Sequence, residues 1–143
     1  MKKIIILMGL LASNAFALSL GDTVNSNTIK METTVNSTMK LSATKTDHTE
    51  YKINKTNGTD TVLVNKNSKV YGFKWSDKTP DIKTMLGTNT TYKSEFDTAY
   101  AKRPIGDHRR LMINTEHLSV SQFGLPGGPF SGSMTAKDLA PTN

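Results

Sequence analysis

Three histidines, each beside a carboxylate, are the residues best suited to proton transfer or metal binding: His48 next to Asp47, His108 next to Asp107, and His117 next to Glu116. A metal site needs three or four converging ligands, usually from paired short spacings or from histidines one helical turn apart. Neither spacing occurs, although His108 and His117 fall on or beside neighbouring strands of an expected hairpin and could meet across it. Half-polar strand positions account for both more simply, so no metal is expected. Nucleophilic chemistry has as little support. The Gly-x-Ser-x-Gly pattern is absent, and Gly128 to Ser133 lacks the strand-turn-helix setting that exposes a reactive serine. Glu95 and Asp97 are two apart on an expected helix and point away from each other, which is poor geometry for paired carboxylates. Gly124 to Pro129 is dense in Gly and Pro, but it lacks the Lys-Ser/Thr end and the following helix of a phosphate loop. It reads as a surface turn between strands, with a partner-docking lip as the functional alternative. No catalytic residue and no cofactor are therefore expected.

Cysteine is absent from all 143 residues, which excludes disulfides, thiolate catalysis, iron-sulfur clusters and cysteine-ligated zinc. The N-terminus is an address. Met1-Lys2-Lys3 is a short cationic start, Ile4 to Ala12 is almost unbroken apolar sequence, and Ala15-Phe16-Ala17 places small residues where a signal peptidase reads them. Residues 1–17 are expected to be a signal peptide cut after Ala17, and 18–143 a single α+β domain with a polar N-terminal segment and a short C-terminal tail. The apolar stretch is broken by Ser13 and Asn14 and falls short of the ~20 residues that span a bilayer, and no second such segment follows, so no transmembrane segment is expected after cleavage. Loss of Lys2 and Lys3 lowers the formal charge from +6 to +4. Fifteen of the 18 basic residues are lysines scattered singly, and the arginine cluster of Arg103, Arg109 and Arg110 is small. A nucleic-acid surface would concentrate Arg and aromatics on one element, so nucleic acid is not expected as a partner; weak, salt-labile binding to anionic surfaces is the lesser alternative.

Elements follow from the periodicity. Val24, Ile29, Met31, Val35 and Met39 are loosely helical in spacing, which predicts a helix over part of Gly21–Thr46 and a flexible link over Ser42–Asp47. Thr49, Tyr51 and Ile53 then alternate with polar residues as a strand does, Asn57-Gly58 supplies a tight hairpin turn, and a second strand covers Thr59–Asn65. A third, Lys69–Trp75, places Tyr71, Phe73 and Trp75 on one face as a core stripe. Thr79 as N-cap and Pro80 at the first helical position open the main helix, about 80–101, whose apolar residues recur at three- and four-residue steps; Gly87 predicts a kink or break. Strands are expected over Arg109–Asn114, His117–Phe123 and Phe130–Thr135. The class is α+β: an antiparallel sheet of about six strands in two three-stranded meanders, the helix packed across it.

The block Val70-Tyr71-Gly72-Phe73-Lys74-Trp75, the run Thr79-Pro80-Asp81-Ile82-Lys83-Thr84-Met85-Leu86-Gly87 and the later Phe130-Ser131-Gly132 together carry a pattern. It resembles the exported proteobacterial proteins grouped as domain of unknown function 2844, which similarly follow a Trp-terminated aromatic strand with a Pro-Asp helix start and a Leu-Gly step. Gly124 to Phe130 departs from the simpler Gly-Gly segment of that family by including Leu125 and Pro126. The resemblance implies export and fold, and supplies no activity or site residue.

A signal peptide without convergent reactive groups points to a non-enzymatic periplasmic or secreted accessory protein. Its expected partner is another envelope protein, held on the sheet face or on an edge near Phe123 to Phe130. The alternative is a small-molecule binder with a helix-sheet pocket lined by Trp75, Tyr92 and Phe96, and a hydrolase ranks third.

Overall fold

The computed structural model describes residues 18–33, 36–104 and 109–142. Three helices, α1 (Ser26–Glu32), α2 (Ile82–Leu86) and α3 (Thr90–Ala101), accompany seven strands: β1 (Ser37–Thr44), β2 (His48–Lys55), β3 (Gly58–Asn65), β4 (Val70–Asp77), β5 (Arg110–Asn114), β6 (Leu118–Gly124) and β7 (Phe130–Ala136). All seven form one antiparallel sheet in the order β1-β2-β3-β4-β7-β6-β5, so a four-stranded and a three-stranded meander join through β4 and β7. The class is α+β, as the periodicity implies. The expected six strands lack β1, whose segment was assigned to helix and link. Ser37–Thr44 has too many Thr and Ser for helix, and pairing with β2 satisfies its backbone from Ser37↔Lys55 to Thr44↔Thr49.

The register builds two inward rows across the whole sheet. One runs Met39, Ile53, Asp60, Trp75, Gly132, Gln122, Leu111; the next runs Leu41, Tyr51, Val62, Phe73, Met134, Val120, Ile113. Their central members form the hydrophobic core with Met85 and Leu86 of α2 and Tyr92 and Phe96 of α3. The opposite face presents Lys40, Lys52, Lys74, Ser76 and Ser131 to water, the alternation of a sheet covered on one side. Tyr71 departs from the expected stripe. A bulge opposite Leu63/Val64 shifts the register, so Val70 joins Phe73 and Trp75 in the main core, while Tyr71 meets the His48 ring edge-on at 6.0 Å. The β2–β3 hairpin also differs in detail: Lys55 pairs with Gly58, so Thr56 and Asn57 are the loop residues.

The helix expected over 80–101 is two helices. Asp81 rather than Thr79 caps α2, its Oδ1 accepting from the Thr84 N–H at 3.2 Å and its Oδ2 from the Thr84 hydroxyl at 2.6 Å. Gly87 ends α2 at φ +74°, and Asn89 caps α3 by accepting from the Tyr92 N–H at 3.0 Å. The N-terminal segment is strapped between α2 and the start of β4. Leu20 N–H donates to Met85 O, Gly21 N–H to Val70 O, and Val70 N–H returns to Asp22 O, each at 2.8 Å. Leu18, Leu20 and Val24 are buried beneath this strap. No helix among the described residues is long and apolar enough to cross a membrane.

Candidate functional site

A concavity of about 650 Å³ opens between α2, α3 and the β7-β6-β5 side of the sheet. Its aromatic wall begins with Phe96 on α3, buried, and Tyr100 one turn later, with ring centroids 5.5 Å apart and planes nearly parallel. Arg103, just past the end of α3, lays its guanidinium 3.7 Å from the Tyr100 ring centroid and donates to Tyr100 O at 2.9 Å. Phe130, at the start of β7, forms part of the opposite wall with Leu111 and Gln122. Lys78, Lys83, Arg103 and Arg110 set four cations around this groove against the carboxylates of Asp81 and Asp97. Aromatic side chains and cations gathered around one concavity suit an anionic group attached to an apolar body.

The Gly/Pro turn is held by an arginine the sequence did not assign to it. Arg109 donates to Gly124 O at 2.8 Å, to Gly128 O at 3.2 Å and to Leu125 O, and its guanidinium lies 4.6 Å from the Phe130 ring centroid. Gly124 is required here, because a Cβ would stand 2.7 Å from the Phe130 ring.

The five residues singled out in the sequence occupy three different settings. Phe96 and Phe130 line the groove. Trp75 lies behind it, 4% exposed, its indole N–H donating to Gln122 Oε1 at 2.9 Å; its ring fits against Gly132, where a Cβ would stand 2.6 Å from the ring. Tyr92 is buried, and its hydroxyl donates to Asp138 Oδ1 at 2.6 Å, which, with burial as the larger cause, raises its pKa. Phe123 is 50% exposed on the sheet's open face beside the free edge strand β5, and Met112 and Leu125 are exposed near it.

The histidine-carboxylate pairs resolve into local ties. Glu95 of α3 accepts from the Thr115 hydroxyl and, at 2.9 Å, from the His117 N–H, while its Oε2 lies 2.5 Å from His117 Nδ1. These bonds, the Thr115 hydroxyl first, hold the Glu95 carboxyl down at about 2 and raise His117. Ligand atoms of Glu95, Glu116 and His117 lie within 4.8 Å of one another. The hydrogen bonds already engage both Glu95 oxygens, so the cluster fits a clamp between α3 and the β5–β6 turn better than it fits a metal centre. His48 is shared between Asp47 at 2.7 Å and Glu50 at 2.9 Å. His108 lies outside the described residues, and with it the question whether it meets His117 across the hairpin.

Sequence reasoning noted Arg103, Arg109 and Arg110 only as a cluster too small for nucleic acid. Their proximity to Phe130 and Tyr100 depends on the pairing of β5 with β6 and on where α3 stops, and neither is visible in local sequence.

No family model matches the chain, no curated protein matches it, and no solved structure matches it.

Proposed function

We propose that the protein is an exported, non-catalytic binding protein that holds a small anionic molecule with an apolar or aromatic body in the groove between its helices and its sheet. The observation that carries this reading is the joint lining of a 650 Å³ groove by Phe96, Tyr100 and Phe130 with a cationic excess at Lys78, Lys83, Arg103 and Arg110. Volumes of roughly 300 to 1,000 Å³ are those of ligand sites, and few converging polar groups on an apolar floor are their usual lining. Among the described residues that line the groove there is no histidine and no serine.

Gln122 supplies an assay. It lines the groove and accepts from Trp75, the only tryptophan of the chain, so an occupant that disturbs Gln122 changes the emission of a single fluorophore. Titration of the protein with acyl and aryl carboxylates and phosphates is expected to give a saturable change that Arg103→Ala weakens about tenfold. No saturable change from any anionic amphiphile, sugar or cell-wall fragment would overturn the reading. A second reading, docking of an envelope protein on the β5 edge, draws on the exposure of Met112, Phe123 and Leu125. In-cell crosslinking separates the two, since Phe123→Ser should abolish capture of such a partner and leave the fluorescence titration unchanged.

A further inference from the structure

A second, smaller cavity of about 210 Å³ lies on the other side of α2, under the N-terminal strap. Glu32, the last residue of α1, lines it at 5% exposure, and its carboxyl has no hydrogen-bond partner among the described residues. Asp60 lines it from β3 at 8% exposure. Its Oδ2 is 2.8 Å from Lys55 Nζ, whereas its Oδ1 is buried and has no partner. Lys55 also pairs with Asp77 at 2.6 Å, so its single charge is divided between two aspartates, and among the described residues no cation pairs with Glu32. Asp22, whose Oδ2 accepts from the Ser19 N–H at 2.9 Å, adds a further negative charge nearby. Burial first, then Asp22 and Asp60, push the Glu32 carboxyl up to about 7. Asp81 is the third carboxylate on the wall and is engaged by Thr84. Leu18, itself 9% exposed, Ile53, Phe73 and Met85 supply apolar wall, and Ser37 and Thr84 complete the lining.

We infer that this cavity is the seat of the mature N-terminus: hydrolysis of the Ala17–Leu18 bond makes the Leu18 nitrogen an ammonium, which pairs with Glu32 and Asp60. In that step water adds across the peptide bond, Ala17 leaves as the carboxylate and Leu18 keeps the protonated amine. The inference rests on the exported reading, in which a signal peptidase cuts after Ala17. An ammonium on an apolar residue fits both the unpaired acceptors and the walls, and it is a cation the chain itself delivers there. A divalent ion fits less well, because Lys55 shares the wall and the oxygens here do not converge; among the described residues only Glu95, Glu116 and His117 bring three ligand atoms together. The strap is anchored for such a role. The Ser19 hydroxyl donates to Thr84 O at 2.7 Å, immediately after the residue that would carry the charge.

The test begins with the full chain expressed in an exporting bacterium, purified from the envelope and weighed intact. A mass corresponding to a start at Leu18 is expected, and any other start overturns the inference, since no ammonium then exists at Leu18. In the protein that starts at Leu18, the α-amine is titrated by NMR. It should titrate at least one pH unit above the ordinary ~8 of an α-amine, and Glu32→Gln should return it toward that value. Inserting one Gly between Ala17 and Leu18 displaces the charge by about 3.8 Å without touching Glu32, and should abolish the shift even if Glu32→Gln fails to fold. An α-amine titrating near 8 in a chain shown to start at Leu18 would overturn the docking and leave the export reading standing.

Discussion

Lys55→Met removes the one cation that faces two buried carboxylates while keeping the length of the aliphatic stem. Asp77 is 1% exposed and Asp60 8% exposed, so neither reaches water to recover its solvation. Breaking a buried pair by deleting one partner costs ~3–5 kcal/mol. The lower end applies here, because the Lys55 side chain is 31% exposed and Asp77 keeps a bond from the Thr79 N–H at 3.0 Å. A loss of about 3 kcal/mol out of a total of roughly 5 to 15 is readily measured by urea denaturation. The dependence on pH is the sharper readout. In the wild type, burial pushes Asp77 up, but Lys55 and the Thr79 and Lys78 amides outweigh it and hold the carboxyl below its ordinary value. That contribution is present above the unfolded pKa and fades as the pH falls through the folded one. Asp60 is already raised, by burial more than Lys55 offsets. Without Lys55 both carboxylates are raised, so the folded variant binds more protons than the unfolded chain and its stability falls as pH rises. The deficit should therefore be full at pH 7.5 and shrink at pH 5. Adding Asp77→Asn should recover part of it at pH 7.5. A loss below about 1 kcal/mol, or a loss equal at pH 5 and pH 7.5, would refute the reasoning that desolvated charge dominates this site.

Two further perturbations test the supports of the groove. Glu95 is held low, so its tie to the β5–β6 turn is present above the ordinary 4.5 and lost as pH falls toward 2; His117 is raised, so its share is complete below 6.5 and lost as pH rises through the higher value. Amide exchange at His117 and Leu118 should accordingly be slowest, after correction for intrinsic rates, between about pH 4.5 and 6.5, and Glu95→Gln should flatten that profile. Gly87→Ala places a methyl 2.7 Å from Ser19 Cβ at a backbone φ of +74°, and should cost about 1–3 kcal/mol in thermal unfolding, with Leu20 amide exchange accelerated as the strap lifts.

Much of the frame is readable in the chain because alternation survives in six strands. Leu111 and Ile113, Leu118 and Val120, and Phe73 and Trp75 each keep period two, and their bounds fall within a residue or two of the observed ones. The seventh strand escapes because β1 is an edge, where Met39 alone is well buried and Leu41, although in an inward row, is 59% exposed beyond the reach of the helices. Tyr71 misleads because a bulge at the start of β4 breaks the alternation between Val70 and Gly72. The buried charges are legible in the alternation as well. Asp60 precedes Val62 and Val64 in phase, and Asp77 follows Phe73 and Trp75 in phase, so both are inward residues of the wrong polarity. Such residues need a partner, and Lys55 at the end of β2 supplies it, in the same cross-sheet row as Gly58 and Asp77 and diagonal to Asp60. The groove had no comparable signal, since its walls come from five segments that meet only in three dimensions.

The break at Gly87 is what allows those segments to meet. Ile82 and Tyr100 both line the groove. In one straight helix over that span, eighteen residues apart at 1.5 Å each, they would stand about 27 Å from each other. A 650 Å³ space is about 11 Å across if taken as a sphere. An unbroken helix could place one of the two residues there but not both. Folding α2 back against α3 brings the first turn of one beside the last turn of the other, setting Lys83 and Ile82 opposite Phe96 and Tyr100. The same glycine leaves room for Ser19, whose strap walls the acidic cavity on the opposite side of α2. One residue without a side chain thus shapes both concavities.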